Sequence, residues 1–282
     1  MVTEQPQESV RLNRWFTEQG VCSRREADRW IAQGRVTING EPATLGAQVG
    51  PRDRVAVDGQ EVRKTHRPPV VIAYNKPIGV ECTSDPKKPD NIIAAVGYPE
   101  RVVHIGRLDQ MSEGLILLTN RGDIVNLILR SEYEHDKEYH VDLSAPVTDA
   151  QIEQLARGLD IGDELGRTRP CVVERLGPAR LKMVLTEGRN RQIRRMAEAI
   201  GHHVKRLERV RIMHIKLGGL ARGRWRHLSE PELRELWRRL GLKGDEKPRT
   251  KRPMHVGKGP KGPAKRPRPK APAPALTRGP RR

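Results

Sequence analysis

Gly106-Arg107-Leu108-Asp109 sets one guanidinium and one carboxylate on a glycine-edged turn, and the apolar run Gly114-Leu115-Ile116-Leu117-Leu118-Thr119 follows after a gap of four residues. A carboxylate between two apolar strands is costly to bury unless it is paired. Two readings are open on chemistry alone. One is a structural Arg–Asp pair at a strand end. The other is an Arg–Asp pair placed for function. Three further stretches bear on the choice. Asn75-Lys76-Pro77-Ile78-Gly79 ends an apolar strand, and Lys137-Glu138-Tyr139 begins a later one. Gly188-Arg189-Asn190-Arg191-Gln192-Ile193-Arg194-Arg195-Met196 opens a helix with four arginines in seven residues. Ile193, Met196, Ala197 and Ile200 make that helix's packed stripe, with Arg191 and Arg194 together on a flank. Arginines at a helix start oppose the helix dipole. They are expected to meet a partner or a buried carboxylate, the alternative being a solvated face.

The chain that must position these groups has 282 residues, 54 Lys+Arg against 35 Asp+Glu, and nine aromatics (four Trp, four Tyr, one Phe). A formal charge of +19 calls for a polyanionic partner. Nine aromatics are too few for a platform that stacks base after base. The longest apolar run is about five residues, too short to span a bilayer, and the polar start is no secretory signal. Cys22, Cys82 and Cys171 have neither zinc nor disulfide spacing, so they are expected to be plain buried thiols in a reducing cytoplasm. No phosphate-binding glycine loop or dinucleotide fingerprint is present.

The charge is uneven. Residues 243–282 hold 14 Lys+Arg, two acids and nine Pro, a surplus of +12, which leaves +7 for residues 1–242. Such a tail cannot bury enough apolar area to offset its ordering entropy, and is expected to be disordered. It reads as a non-specific RNA tether. A basic, proline-rich joint at 66–69 separates a small unit, 10–66, from a larger one, 68–242. In the small unit Leu12, Trp15 and Phe16 share a helix face closed by Gly20. Ser23-Arg24-Arg25-Glu26 is an N-terminal capping sequence. Ala27, Trp30 and Ile31 are the buried stripe of the second helix, with Arg24, Arg25 and Arg29 outward. Asn39-Gly40 and Asp58-Gly59 suit tight hairpin turns. This unit resembles the S-four-like RNA-binding domain, and the resemblance implies that Arg24, Arg25 and Arg29 contact RNA backbone, positioning rather than specifying.

In the larger unit strands are predicted at 70–74, 102–105, 115–119, 138–143, 171–176, 181–186 and 204–215. Helices are predicted at 123–129, 150–157, 191–200 and 232–240, the last behind a capping box at Ser229 and Glu232 with Leu233, Leu236, Trp237 and Leu240 as its core stripe. The irregular order argues for α+β.

Taken together, Lys76-Pro77-x-Gly79, Gly106-Arg107-Leu108-Asp109 with its apolar strand, Lys137-x-Tyr139 and Arg191-Gln192-Ile193-Arg194-Arg195-Met196 resemble the motifs, in order, of the pseudouridine synthases. The S-four-like unit narrows the likeness to the RsuA/RluB/E/F family of rRNA enzymes. Asp90-Asn91-Ile92, the run 134–139 and the run 205–213 are most similar to its large-subunit RluF type. The resemblance covers residues 10–240. It implies a catalytic domain with a central, mainly antiparallel sheet. It implies an isomerase that breaks the N1–ribose bond of a uridine, turns the uracil and rejoins it through C5, with no cofactor and no metal. Asp109 is then the essential residue, by attack on the sugar or by removal of a sugar proton. Arg194 is its ion-pair partner, keeping the carboxylate charged. Tyr139 stacks on the uracil, and Arg107 fills the gap left by the flipped nucleotide. Leu115 and Ile193 are implied as apolar pocket wall, with Lys76, Arg191 and Arg195 as RNA contacts. The expected partner is a structured stem-loop of 23S rRNA, bound by a cytoplasmic monomer without membrane contact. One position departs from the pattern: Met111 stands where the family usually carries an acid, which bears on loop geometry and site choice. A non-catalytic ribosome-assembly factor is the alternative reading. A DNA-binding regulator fits less well, because hairpins rather than a third helix follow 24–33.

Overall fold

The computed structural model describes residues 9–63, 69–129 and 135–242. The charged tail and residues 66–68 of the expected joint lie outside them.

The small unit runs β1 (Val10–Arg11), α1 (Leu12–Glu18), α2 (Arg24–Ala32), β2 (Val36–Ile38), β3 (Glu41–Pro42), β4 (Gln48–Val49), β5 (Val55–Val57) and β6 (Gln60–Glu61). Ser23 caps α2 by accepting from the Glu26 amide. Leu12, Trp15, Phe16, Ala27 and Ile31 join Val36, Val49 and Val55 in one core. Trp30 is only half-buried and packs at its edge; the Arg35 guanidinium lies 5.4 Å from its ring centroid. The sheet order is β3-β2-β5-β6. Asn39 and Asp58 both take positive φ at its turns, as the Asn-Gly and Asp-Gly pairs foretell.

The large unit continues with β7 (Val71–Lys76), α3 (Ile92–Val96), β8 (Val103–Ile105), β9 (Glu113–Thr119), α4 (Gly122–Leu129), β10 (Lys137–Leu143), α5 (Asp149–Arg157), β11 (Val172–Gly177), β12 (Arg180–Leu185), α6 (Gln192–Ala199), β13 (Val204–Ile212), β14 (Ile215–Lys216), β15 (Trp225–His227) and α7 (Glu230–Arg239). One nine-stranded sheet carries the path β11-β12-β10-β13-β9-β7-β15. β8 pairs with β9, and β14 with β13. Every pairing is antiparallel except β9 with β13, joined at Glu113–Glu208 and Gly114–Arg209. The predicted strand 204–215 is two strands, because Met213 turns the chain with φ near 52°. The short helix α3 and strand β15 were not foreseen, although Asn91 caps α3 through its side chain.

The parallel pair is a seam. On one side β7 and β9 are buried on both faces. Val71, Ala73, Leu115 and Leu117 face α4 and α7, and Ile72, Tyr74, Ile116 and Leu118 face α3. Across the seam β10, β12 and β13 pack Val141, Leu181, Met183 and Leu207 against Met196 and Ala197 of α6. At the seam Gly114 has φ of +101°, and a Cβ there would lie 2.3 Å from the Arg209 carbonyl oxygen. Glycine is therefore required twice over, by backbone angle and by close approach.

Candidate active site

Asp109 sits on the turn between β8 and β9, a third exposed. That turn is tied down at several points. The Leu108 amide donates to Cys82 Sγ at 3.3 Å, and the Ser112 amide to the Asp109 carbonyl at 3.0 Å. The Gly79 amide donates to the Gln110 carbonyl at 2.9 Å, and Gln110 Nε2 returns a bond to the Gly79 carbonyl at 3.1 Å. The conformation around the carboxylate is set before any ligand arrives, as preorganised chemistry needs.

Arg194 reaches this turn from α6 across the seam. Its Nη2 donates to the Met111 carbonyl at 2.8 Å and to Ser112 Oγ at 3.2 Å, and its Nη1 to the Val204 carbonyl at 3.2 Å. Its Nε stands 3.7 Å from Asp109 Oδ2 and has no hydrogen-bond acceptor among the described residues. The Asp109 contact is one of charge, and carbonyls and a hydroxyl fix the guanidinium's place. Burial, then the nearby Arg191, pull the Arg194 guanidinium below its ordinary pKa, while Asp109 opposes them. Met111, the departure from the family pattern, contributes its carbonyl here, and its side chain is 60% exposed. The main-chain contact needs no acid at that position.

A cleft of about 490 Å³ opens beside the pair. Asp109, Arg107, Tyr139, Arg191 and Ile193 line it. Tyr139 is half-buried between two apolar clusters. Arg107 and Arg191 are exposed at this cleft. Arg191 and Arg194 do not share a flank. Arg191 is the N-cap residue of α6 in a left-handed conformation, outside the helix proper, whereas Arg194 is buried.

Three expectations are corrected. Lys76 is not an RNA contact: it is fully buried, and its Nζ donates to the carbonyls of Pro77 (3.0 Å), Val80 (2.8 Å) and Gln110 (3.5 Å). It binds the 76–80 loop to the Asp109 turn. Arg195 is drawn to the Ile161 carbonyl and to Asp163 at 3.3 Å, so it anchors a neighbouring loop. Leu115 is core rather than pocket wall; Leu117, Ile105 and Leu108 line the cleft in its place. Arg24, Arg25 and Arg29 are exposed on α2, with Arg29 also 2.8 Å from Glu26. Cys22 and Cys82 are buried and Cys171 half-buried, all three free.

Sequence reasoning missed Glu113 and Arg209. Glu113 is buried, at 2.6 Å from Arg206 and 2.7 Å from Arg222, a three-charge clasp over the seam. Arg209 occupies a core-facing position of β13 beside Leu207 and Ile212. An arginine in phase with buried aliphatics was the signal available for it.

Burial pushes the Lys76 ammonium down to about 8, opposed by Cys82, Asp109 and Glu113. In the unfolded chain it should titrate near the usual lysine value of about 10.4. Between those values the unfolded state binds the extra proton, so this group's contribution to stability rises with pH. The stability difference between wild type and Lys76→Met should therefore shift in favour of wild type from pH 7 to pH 10, by on the order of 3 kcal/mol. Urea unfolding at the two pH values measures it, and a difference that does not move with pH would refute it.

A family model for RNA pseudouridylate synthases matches residues 70–199, and an S4-domain model matches residues 10–55. The chain is 46% identical over 249 residues to the dual-specificity RNA pseudouridine synthase RluF of Escherichia coli, covering 87% of this chain and 85% of that protein. It belongs to the RNA pseudouridine synthase family. It is also 35% identical to the ribosomal large subunit pseudouridine synthase B of Bacillus subtilis, over 80% of this chain and 95% of that one. A crystal structure of a pseudouridylate synthase superposes with a TM-score of 0.59 at 30% identity, covering 81% of this chain and all of the other. As a pseudouridine synthase the chain is an isomerase with an N-terminal S4 domain. Among the described residues no helix is long and apolar enough to cross a membrane.

Proposed function

We propose that this pseudouridine synthase isomerises a uridine in a structured stem-loop of 23S rRNA, acting as a cytoplasmic monomer without metal or cofactor. The observation that carries the reading is a carboxylate from one half of the sheet that shares a cleft with a tyrosine from the other half and stands 3.7 Å from that half's buried Arg194 guanidinium.

In this reading Asp109 is the residue that reacts with the ribose. By either route the N1–C1′ bond breaks with its electron pair leaving on the uracil. Arg194, fixed by Met111 and Ser112, sets its positive charge 3.7 Å from the Asp109 carboxylate. Tyr139 stacks on the uracil. Arg107 occupies the stack the nucleotide has left, and Arg191 contacts the backbone beside it. Arg24, Arg25 and Arg29 grip phosphates further along. The residues 243–282 act as an RNA tether. Unstacking the base costs a few kcal/mol, roughly, and less in a loop or bulge; the basic contacts must exceed that cost.

The test is genetic. In cells lacking the gene, mapping of 23S rRNA should show the loss of one pseudouridine, or a short cluster, restored by the wild-type gene. An unchanged pseudouridine map would sink the assignment.

A further inference from the structure

The floor of the cleft holds two cations that the proposed chemistry does not use. Lys137 and Tyr139 stand two apart on β10, hence on one face of the sheet. Arg209 is directly opposite Tyr139 on β13. All three line the cleft with Asp109.

Arg209 is 96% buried, at 4% exposure, and among the described residues makes one hydrogen bond, from Nε to the Leu115 carbonyl at 2.7 Å. Its Nη2 is buried without an acceptor. Lys137 Nζ donates to the His135 carbonyl at 2.7 Å. Among the described residues no carboxylate lies within ion-pairing distance of Lys137 or Arg209. The nearby acids are otherwise engaged. Glu113 is held by Arg206 and Arg222, Glu208 by Arg206, Asp136 by Arg211, and Asp109 by Arg194. A buried guanidinium beside a second cation, neither of them ion-paired, is a costly arrangement, even with Asp136 opposing the charge at Lys137. Burial, with Arg209 adding to it, pulls the Lys137 ammonium down to about 8, so it still carries charge at neutral pH. Such a pair lowers its energy when negative charge enters the cleft.

We propose that Lys137 and Arg209 form a cationic floor that stabilises the uracil anion released when the N1–C1′ bond breaks. This rests on the reading of the cleft as the uridine site. The placement favours the base over a phosphate. The two cations lie on the sheet beside the ring of Tyr139 and the aliphatic wall of Leu207 and Ile212, whereas the exposed Arg107 and Arg191 are the groups available to the backbone. The anion is common to both routes for Asp109. If the carboxylate attacks C1′, an O–C1′ ester forms as N1 departs with the bonding pair. If it takes the C2′ proton, a C1′=C2′ double bond forms and N1 departs with the same pair. In each case one negative charge is spread over the uracil nitrogens and carbonyl oxygens until C5 bonds to C1′, as the ester C1′–O bond breaks or Asp109 returns the proton to C2′; C5 then loses its proton and N1 gains one. Donors set for charge that develops during the reaction favour the transition state over the ground state.

The test is single-turnover pseudouridine formation by the full chain, at saturating RNA, on the 23S rRNA stem-loop located by the genetic assay. Lys137→Met should lower the rate about 100-fold, the scale of losing one preorganised donor, with RNA affinity within twofold of wild type. Lys137→Arg should recover most of the rate. Arg209→Met should act in the same direction, but Lys137, half-exposed, is the variant that decides. An RNA with an abasic target nucleotide should bind wild type and Lys137→Met equally. The inference is overturned if Lys137→Met keeps a rate within threefold of wild type, or if Lys137→Arg does no better than Lys137→Met. It is also overturned if Lys137→Met loses affinity for the abasic RNA, which would put the contact on a phosphate. A wild-type protein that forms no pseudouridine would overturn the reading of the cleft itself, and this inference with it.

Discussion

Asp109→Asn should abolish pseudouridine formation, by at least about 10³-fold in single-turnover rate, while leaving the protein folded. The substitution keeps shape and removes charge. It takes away both the nucleophilic oxygen anion and the base, so the loss is expected whichever route Asp109 follows. The fold should tolerate it for a visible reason. Arg194 is fixed by the Met111 carbonyl, Ser112 and the Val204 carbonyl, and its 3.7 Å approach to Asp109 is no hydrogen bond. Asp109 is also a third exposed, and pairs open to water are worth about 1 kcal/mol or less. The expected result is thus an unshifted melting transition with no product, and complementation that fails only with the Asn form. Pseudouridine restored by Asp109→Asn would remove the residue from the chemistry.

Gly114→Ala should be the most damaging small change in the sheet. A Cβ would meet the Arg209 carbonyl oxygen at 2.3 Å and its amide nitrogen at 2.8 Å, and the residue already has φ of +101°. Both neighbours are backbone atoms of the only parallel pairing among the described strands, so they can yield only by opening the seam. Strain at such an angle and overpacking of this kind each cost about 1–3 kcal/mol. A loss of about 3–5 kcal/mol is expected from urea unfolding. A loss below about 1 kcal/mol would show that the seam can shift at little cost.

Local physics made much of this molecule legible from its sequence. The stripe Leu233, Leu236, Trp237 behind the Ser229–Glu232 capping box is α7. The Asn39 and Asp58 turns fall where left-handed conformations are tolerated. Asp109, Tyr139 and Arg194 were named together from motif resemblance, and the fold brings Asp109 and Tyr139 to one cleft, with Arg194 beside Asp109 at 3.7 Å, from three separated stretches of chain. What could not be read was the fate of individual cations. Lys76 and Arg195 look like RNA contacts in a basic protein, and tertiary structure turns both inward onto carbonyls. Charge in a sequence records the residue's type, and the acceptors that claim it are set by folding: Pro77, Val80 and Gln110 carbonyls for Lys76, and the Ile161 carbonyl for Arg195. Arg209 was overlooked because β13 carries three arginines, Arg206, Arg209 and Arg211, and only the neighbouring elements decide which of them is buried. Likewise β15, three residues long, carries no period of its own; β7 supplies its pairing.

The parallel seam has a meaning for how the molecule assembles. Strands β10 to β13 are one continuous stretch of chain, set into a half-sheet whose own strands come from before and after it. The two partners of the seam, Gly114 and Arg209, are 95 residues apart, and closing so long a loop carries an entropic cost that local hairpins avoid. A chain with either half formed alone would hold Asp109 without Arg194, or Arg194 and Tyr139 without Asp109. Competence for the reaction therefore belongs to the joint between the halves, and only a chain that has joined β9 to β13 possesses it.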